Sequence, residues 1–367
     1  MQNLRNMGKR LRLNDQEVDL IYKHRAGDLD NLNYNLTHNS ALDKHLAERG
    51  IDKNDVVSVK HWQNMGGELR FSVVTKTGSV DEKSVFDNVL QLIEDNAPKY
   101  PKIEYKGGDH LLVINPADIH IGKYANSDET GEEYNMDIAI ERVLLGVSGL
   151  INKAKGFNVD RILFCIGNDV LHVDNVYSST SKGTYQDTDG KWWEHYQVAL
   201  QVYVQCVEML REIAPVDCVH SMSNHDYQSG FHLAHALKAW FRNCDDVTVD
   251  AGVSHRKYYS YGLNLIGLEH GDGCKMDSLP LTMAQEKPLL WSETKYRYWY
   301  LHHIHHKVKH KWRDAKDFIG CTVEYMRSPS SSDSWHSRKG YVGTPKAVEA
   351  FLHDKEGGQV ARLTHYF

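Results

Sequence analysis

From residue 110 onward the chain repeats one pattern: a short apolar run, a polar loop, then an amphipathic helical stretch. HLLVINPADIH precedes a predicted helix over about 136–155, and RILFCIGND precedes one over about 192–213. VDCVHSMSNHD precedes one over about 231–243, and LNLIGLEHGDG follows. Buried strands alternating with helices specify an α/β domain. In such sheets the working residues gather just past the carboxyl ends of the strands. Here each run closes directly on Asp, His or Asn, which places polar chemistry at that edge.

Residues 1–100 read differently, as a small N-terminal α+β module ahead of a second domain over 101–367. LNDQEVDLIYKHR (13–25) is helix-like, with Asn14 and Glu17 at capping-box spacing. ALDKHLAERG (41–50) predicts a second helix closed by Gly50. Beside a Lys/Arg-rich start, the two read either as a helix-turn-helix-like module or as a generic helical extension. VVSVKHW and ELRFSVVTKTG alternate like the strands of a hairpin. A further helix is predicted over 82–96, and the segment around Pro98 and Pro101 reads as a linker.

Charge and apolar content exclude several classes. The 43 Lys and Arg against 49 Asp and Glu leave a net charge of −6, which argues against a wholly basic nucleic-acid coat but permits a local basic groove. No window approaches about 18 consecutive apolar residues, so no membrane span is expected. The start, MQNLRNMGKRLRLNDQ, lacks the apolar core of a secretory signal. None of the six cysteines forms a CxxC pair and several sit in apolar runs, as expected of reduced thiols in a cytoplasmic protein.

Histidine is in excess, at 22 of 367 residues. It is the commonest metal ligand and the natural acid and base near neutral pH. Five clusters stand in order: Asp118-Ile119-His120, Gly167-Asn168-Asp169, Asn224-His225-Asp226, His270, and His302-His303-Ile304-His305. Two divalent ions about 3.5–4 Å apart need an anionic oxygen between them. A set of carboxylates, an amide and imidazoles suits Mn, Fe or Zn. In D-x-H, residues i and i+2 of an extended loop would both face one ion. His303-x-His305 would offer one imidazole to each.

In this order the clusters resemble the calcineurin-like metallophosphoesterase family, whose pattern runs D-x-H, G-D, G-N-H-D/E, H and G-H-x-H. The resemblance spans about residues 110–310. It implies a sandwich of two mixed β-sheets flanked by helices, and a phosphoester hydrolase using two divalent metal ions, with Mn expected and Fe, Zn or a mixture open. By matched position, Asp118, His120 and His305 would hold the first metal and Asn224, His270 and His303 the second, with Asp169 bridging. His225 would protonate the leaving group, with Asp226 orienting it. Three positions depart from the pattern: Asn168 is inserted before the acid, Ser223 replaces one glycine, and His302 replaces another. The insertion favours Asp169 as bridge and leaves Asp174 in the same loop as a rival.

The run DVLHVDN resembles the nuclease branch of that family, where a His follows three residues after the bridging Asp; His172 holds that place. The loop YSSTSKGTYQDTDGK (177–191) reads either as a solvated surface or as a phosphate path using Lys182. In RSPSSSDSWHSRKGYVGT (327–344), Arg327, His336, Arg338 and Lys339 are candidate phosphate contacts and Trp335 a base-stacking platform. Both stretches look like those of phage-encoded, DNA-repair-exonuclease-like members. The expected activity is thus a phosphodiesterase or nuclease acting on DNA. Alternatives are a phosphomonoesterase on phosphoproteins, nucleotides or small phosphates, and a non-catalytic nucleic-acid-binding protein with a vestigial site. His232 and His235 read as a partly exposed helix face, and His306 and His310 as part of a basic rim.

Overall fold

The computed structural model describes residues 40–63, 69–75, 91, 98–304, 315–341 and 343–367. The chain divides into two compact units, Met1–Asn96 and Ala97–Phe367. In the first unit, helix α1 (Ser40–Ala47) buries Leu42 and Leu46, one turn apart on one face. Gly50 follows it with φ +62°, a conformation that costs glycine little. Strands β1 (Val56–Gln63) and β2 (Leu69–Thr75) form an antiparallel hairpin, with His61 opposite Phe71. The helix expected over 13–25 lies outside the described residues, as does that over 82–96 except for residue 91.

The second unit opens with β3 (His110–Asn115), the single-turn α2 (Ser127–Thr130) and α3 (Met136–Ala154). Then come β4 (Val159–Gly167), α4 (Trp192–Arg211), β5 (Val216–Ser221), α5 (Tyr227–Trp240) and β6 (Val247–Asp250). Strands β7 (Lys257–Tyr261) and β8 (Asn264–Glu269) lead to α6 (Leu279–Glu286), α7 (Pro288–Glu293) and β9 (Tyr296–Leu301). The unit closes with β10 (Ala315–Phe318), β11 (Cys321–Tyr325), α8 (Ser334–Arg338), β12 (Ala347–Asp354) and β13 (Gly358–Tyr366).

These strands make two mixed sheets. One runs β13-β12-β3-β4-β5-β6, parallel from β3 to β6 and antiparallel at β12 and β13. The other runs β10-β11-β9-β8-β7, with β11, β9 and β8 parallel. Parallel neighbours need long crossovers, and α3, α4 and α5 supply them in the first sheet. Leu112 and Ile114 of β3 face these helices, whereas Leu111 and Val113 face the second sheet with Ile266, Leu268 and Tyr300. Both faces are covered, so the strands read as continuous apolar runs without alternation. The outer face of the second sheet buries Trp299, Leu301 and Val323 under Leu279 and Met283 of α6. The result is a sandwich of two mixed sheets flanked by helices, the fold class expected from the sequence.

Local signals explain the helix bounds. Asn135 caps α3, its side chain accepting from Ile138 N at 2.9 Å. Ala139, Val143, Val147, Leu150 and Ala154 then form one buried stripe. Gly149 on this helix permits the approach of β13, because a Cβ there would meet His365 Nδ1 at 1.8 Å. Cys165, Cys206 and Cys218 are buried, and burial pushes their thiols up, that of Cys206 to about 12. Among the described residues, no helix is long and apolar enough to cross a membrane.

Candidate metal centre

Five strands of two sheets deliver the candidate residues from their carboxyl ends. Asp118 and His120 follow β3, Asn168, Asp169 and His172 follow β4, and Asn224, His225 and Asp226 follow β5. His270 follows β8 directly, and His302 and His303 follow β9. His305 lies outside the described residues, as do His306 and His310.

The loops are not extended, contrary to the expectation for D-x-H. Asp118, His120, Asn168, Asp169 and His303 all have φ between +51° and +67°. Sparsely populated angles of this kind cost about 1–3 kcal/mol each and persist where the surroundings impose them. Here main-chain pairing between two loops does so. Asp118 N donates to Asn168 O at 2.8 Å, His120 N to Asp169 O at 3.0 Å and Ile121 N to Val170 O at 2.7 Å. Gly167 turns the chain at φ +84°, where a Cβ would meet Ser221 O at 2.3 Å.

Two departures from the family pattern have visible consequences. Ser223 Oγ accepts from Asp169 N at 2.8 Å and donates to Asp226, so the hydroxyl fixes the loop that a glycine leaves unsupported. His302 is fully buried, with Nε2 3.1 Å from Asn115 Nδ2, and burial lowers its pKa to about 3. It is thus a neutral core histidine beside the site. The inserted Asn168 is buried, and neither side-chain amide atom has a hydrogen-bond partner among the described residues.

The donors converge. Asp118, His120 and Asp169 bring one ligand atom each within 4.8 Å of one another, and so do Asp169, His270 and His303. Asp169 belongs to both groups. Its Oδ2 is 3.1 Å from His270 Nε2, while Oδ1 accepts from His225 N at 2.8 Å. His270 Nε2 also lies 2.9 Å from Asn224 Oδ1 and 3.2 Å from His303 Nδ1. An imidazole nitrogen carries at most one hydrogen, which cannot serve three such neighbours at once. A cation can, and atoms about 3 Å apart match neighbouring ligands that each lie ~2.1 Å from one ion. The donor set therefore fits divalent metal binding.

Buried Asp169 and His270 stabilise each other's charged forms. Burial pushes the Asp169 carboxyl up, but the His270 imidazole beside it prevails and holds it well below the usual carboxylate range. His270 is raised to about 9, against its burial, by the Asp169 charge. Asp226 is pushed up to about 7 by burial and by the nearby Asp169.

A third group, His120, His172 and His225, also has ligand atoms within 4.8 Å. His172 Nδ1 is 3.3 Å from His120 Nδ1, and burial with the neighbouring His225 lowers the His172 pKa. His225 Nδ1 lies 2.9 Å from the His172 carbonyl, which only accepts, so Nδ1 carries the hydrogen. Nε2 is thereby the nitrogen left for proton transfer. Asp226 does not orient this ring. Its carboxylate accepts from Leu171 N at 2.9 Å and from Ser223 Oγ, clamping the loop after β4 to that after β5. Asp174, the rival bridge, accepts from Gln228 N and Ser229 N and so caps α5 away from the donors.

Above the donors opens a cleft of about 800 Å³. Lys182, Thr184 and Tyr185 line it, as do Trp335, His336 and Arg338. Arg327 stands apart from it. Its amide donates to the fully buried Glu349 at 3.0 Å, and its Nε is 3.7 Å from the same carboxylate, because an uncompensated buried charge is costly. Lys123 and Asp333 were not singled out by sequence, yet both line the cleft, with Lys123 Nζ 3.2 Å from Asp333 Oδ2. They stand 210 positions apart, so no local spacing announces the pair. His232 and His235 are exposed on α5, His235 against the Phe231 ring.

No protein-family model matches the chain, and no curated protein matches it. Among solved structures, the chain is similar to Vps29 of Chaetomium thermophilum. The two share 9% identity at a TM-score of 0.27, over 70% of this chain and 98% of that one.

Proposed function

We propose that the protein is a metal-dependent phosphoester hydrolase and that its substrate is a nucleic-acid phosphodiester. One observation carries the reading: Asp169 is shared by two donor groups drawn from different sheets, the arrangement a pair of ions needs. In this reading Asp118 and His120 hold one ion, Asn224, His270 and His303 hold the other, and Asp169 bridges. His305 completes the first by its place in the motif. Manganese is the expected ion. Two such ions lower the pKa of water and screen phosphate charge.

The chain's own groups supply the rest. Asp169 is a carboxylate at neutral pH, whereas His270 must give up its proton to hold an ion, so metal and protons compete at this pair. His225, with Nδ1 fixed on the His172 carbonyl, offers Nε2 to protonate the leaving oxygen. His172 packs a neutral imidazole against both His120 and that acid, and its place three residues after Asp169 is what favours a diester over a monoester in this reading. Lys182, His336 and Arg338 face phosphate from the cleft sides.

The test is a manganese-dependent screen comparing bis-p-nitrophenyl phosphate, p-nitrophenyl phosphate and labelled DNA and RNA. Diester turnover is expected to exceed monoester turnover. The reverse order assigns a phosphomonoesterase. A purified chain that takes up no transition metal and turns over none of these is a binding protein instead.

A further inference from the structure

The segment Ser328–Tyr341 looks like a polar surface loop in sequence, yet Ser328, Ser330, Ser331 and Ser332 are each no more than 6% exposed. Each tie fixes the segment to something specific. Ser328 Oγ donates to Asp118 O at 2.7 Å, so the segment is fastened to the metal loop itself. Arg142 Nη1 donates to Pro329 O at 2.6 Å, and Ser332 N donates to Glu132 at 3.0 Å. Asp333 then serves three partners: Lys123 Nζ, the His336 amide at 3.0 Å and His336 Nδ1 at 2.7 Å. Lys123 is itself 1% exposed, and its amide donates to His120 O at 2.9 Å. Helix α8 therefore stands in fixed register with the donor floor.

On that rigid mount sits an exposed aromatic. Trp335 remains 51% exposed while His336 meets it edge-on at 5.0 Å and Tyr341 supports it at 5.7 Å. Tyr185, 71% exposed, shares the cleft lining with Lys182. Exposed aromatics beside cations are the groups that hold unpaired bases and their phosphates. A duplex keeps its bases stacked and withholds those faces. The cleft, at about 800 Å³, falls in the size range that encloses a small ligand or a short strand end. Asp187 and Asp272 also line it, so among the described residues the lining is not the continuous cationic track that a duplex backbone follows.

We propose that the cleft binds an unpaired nucleotide of single-stranded nucleic acid. Its base stacks on Trp335, and the flanking phosphates meet Lys182, His336 and Arg338. Lys123 and Asp333 are positioning residues that set the distance from that base to the metal floor. The inference rests on the hydrolase reading for its cleavage step, but binding is measured without cleavage.

The experiment uses the full chain and a fluorescein-labelled 12-nucleotide strand, followed by anisotropy in EDTA and again with calcium. The single strand is expected to bind at least about 10-fold more tightly than a blunt duplex of the same length. Trp335→Ala is expected to weaken it about 5–150-fold, the range for one lost stacking contact. Tyr185→Ala provides a second variant in the cleft lining and is expected to weaken strand binding as well. Asp333→Asn is expected to weaken strand binding, with metal uptake as the readout that a collapsed fold would also lose. Equal affinity for the duplex, or no loss in both aromatic variants, overturns the proposal. Competition by a free mononucleotide as effective as the strand also overturns it and assigns the cleft to nucleotides. Manganese-dependent turnover of bis-p-nitrophenyl phosphate by the unaltered chain tests the hydrolase reading separately. Strand binding without turnover defeats only that reading, and turnover without strand preference defeats only this one.

Discussion

The floor of the cleft and its Ser328–Tyr341 side are built by opposite means. On the floor the main chain does the holding: two loops pair through Asp118, Asn168, His120 and Asp169, with left-handed angles at all four. The side is held by side chains, through Lys123, Asp333, Ser328 and Arg142. Backbone pairing fixes the loops without using the donor side chains for that purpose. Side-chain anchoring spends those groups on structure and leaves only what projects beyond them for substrate. The two regions should therefore fail separately when altered.

The largest expected effect is on the floor. Asp169→Asn removes the shared carboxylate and is expected to abolish manganese-dependent turnover, with metal content falling in elemental analysis; retained turnover would contradict the bridging role. His225→Asn comes next. Loss of a proton donor costs about 10²–10⁴-fold in rate, while metal content is expected to stay at the unaltered level. Full activity in that variant defeats the acid assignment.

On the anchored side, Lys123→Met leaves Asp333 with His336 as its remaining partner and is expected to cost about 1.5–3 kcal/mol of stability. Denaturant unfolding measures this. Metal content should not change, and a loss of metal would show that the two regions are not separable.

The smallest effect concerns buried histidines that belong to neither the donor set nor the anchors. Burial lowers the pKa of His353 to about 3, and burial with the Lys257 charge lowers that of His220 to about 4. Unfolded, each has a pKa near 6.5. Above that pH neither state holds the proton, and stability is unaffected. Below it the unfolded chain gains a proton that the folded chain refuses, so stability declines as pH falls from about 6.5 towards 4. Melting temperature is expected to be level above pH 6.5 and to drop below it, and His353→Gln should soften the drop. A level profile down to pH 4.5 would count against it.

Much of this was legible in the chain itself. β3, β4, β5 and β8 could be read because burial on both faces makes each a continuous apolar run ending in a polar residue. The order of the donors was legible because each strand end contributes a short contiguous cluster. Their backbone angles were not, since Asp118 and His120 take left-handed conformations only against the partner loop. α5 begins at Tyr227, ahead of the expected 231, because Asp174 from a distant loop caps it. Arg327 looked free for phosphate because its partner Glu349 lies 22 positions on, across a strand pairing that spacing does not reveal. The histidine excess had a similar cause. His220, His302 and His353 are neutral core residues, His353 with Nε2 2.8 Å from the Tyr300 hydroxyl.

The five strand ends that meet at the floor span the chain from Asp118 to His303. An ion held there closes loops that pass through both sheets, and such long-range closure cannot form early, because its entropy must be met before any donor converges. In the proposed reading, a bound metal would act as a late clasp on a finished sandwich. It is expected to slow unfolding strongly and leave the rate of folding nearly unchanged. Chevron measurements with and without manganese should show one limb moving and the other standing still.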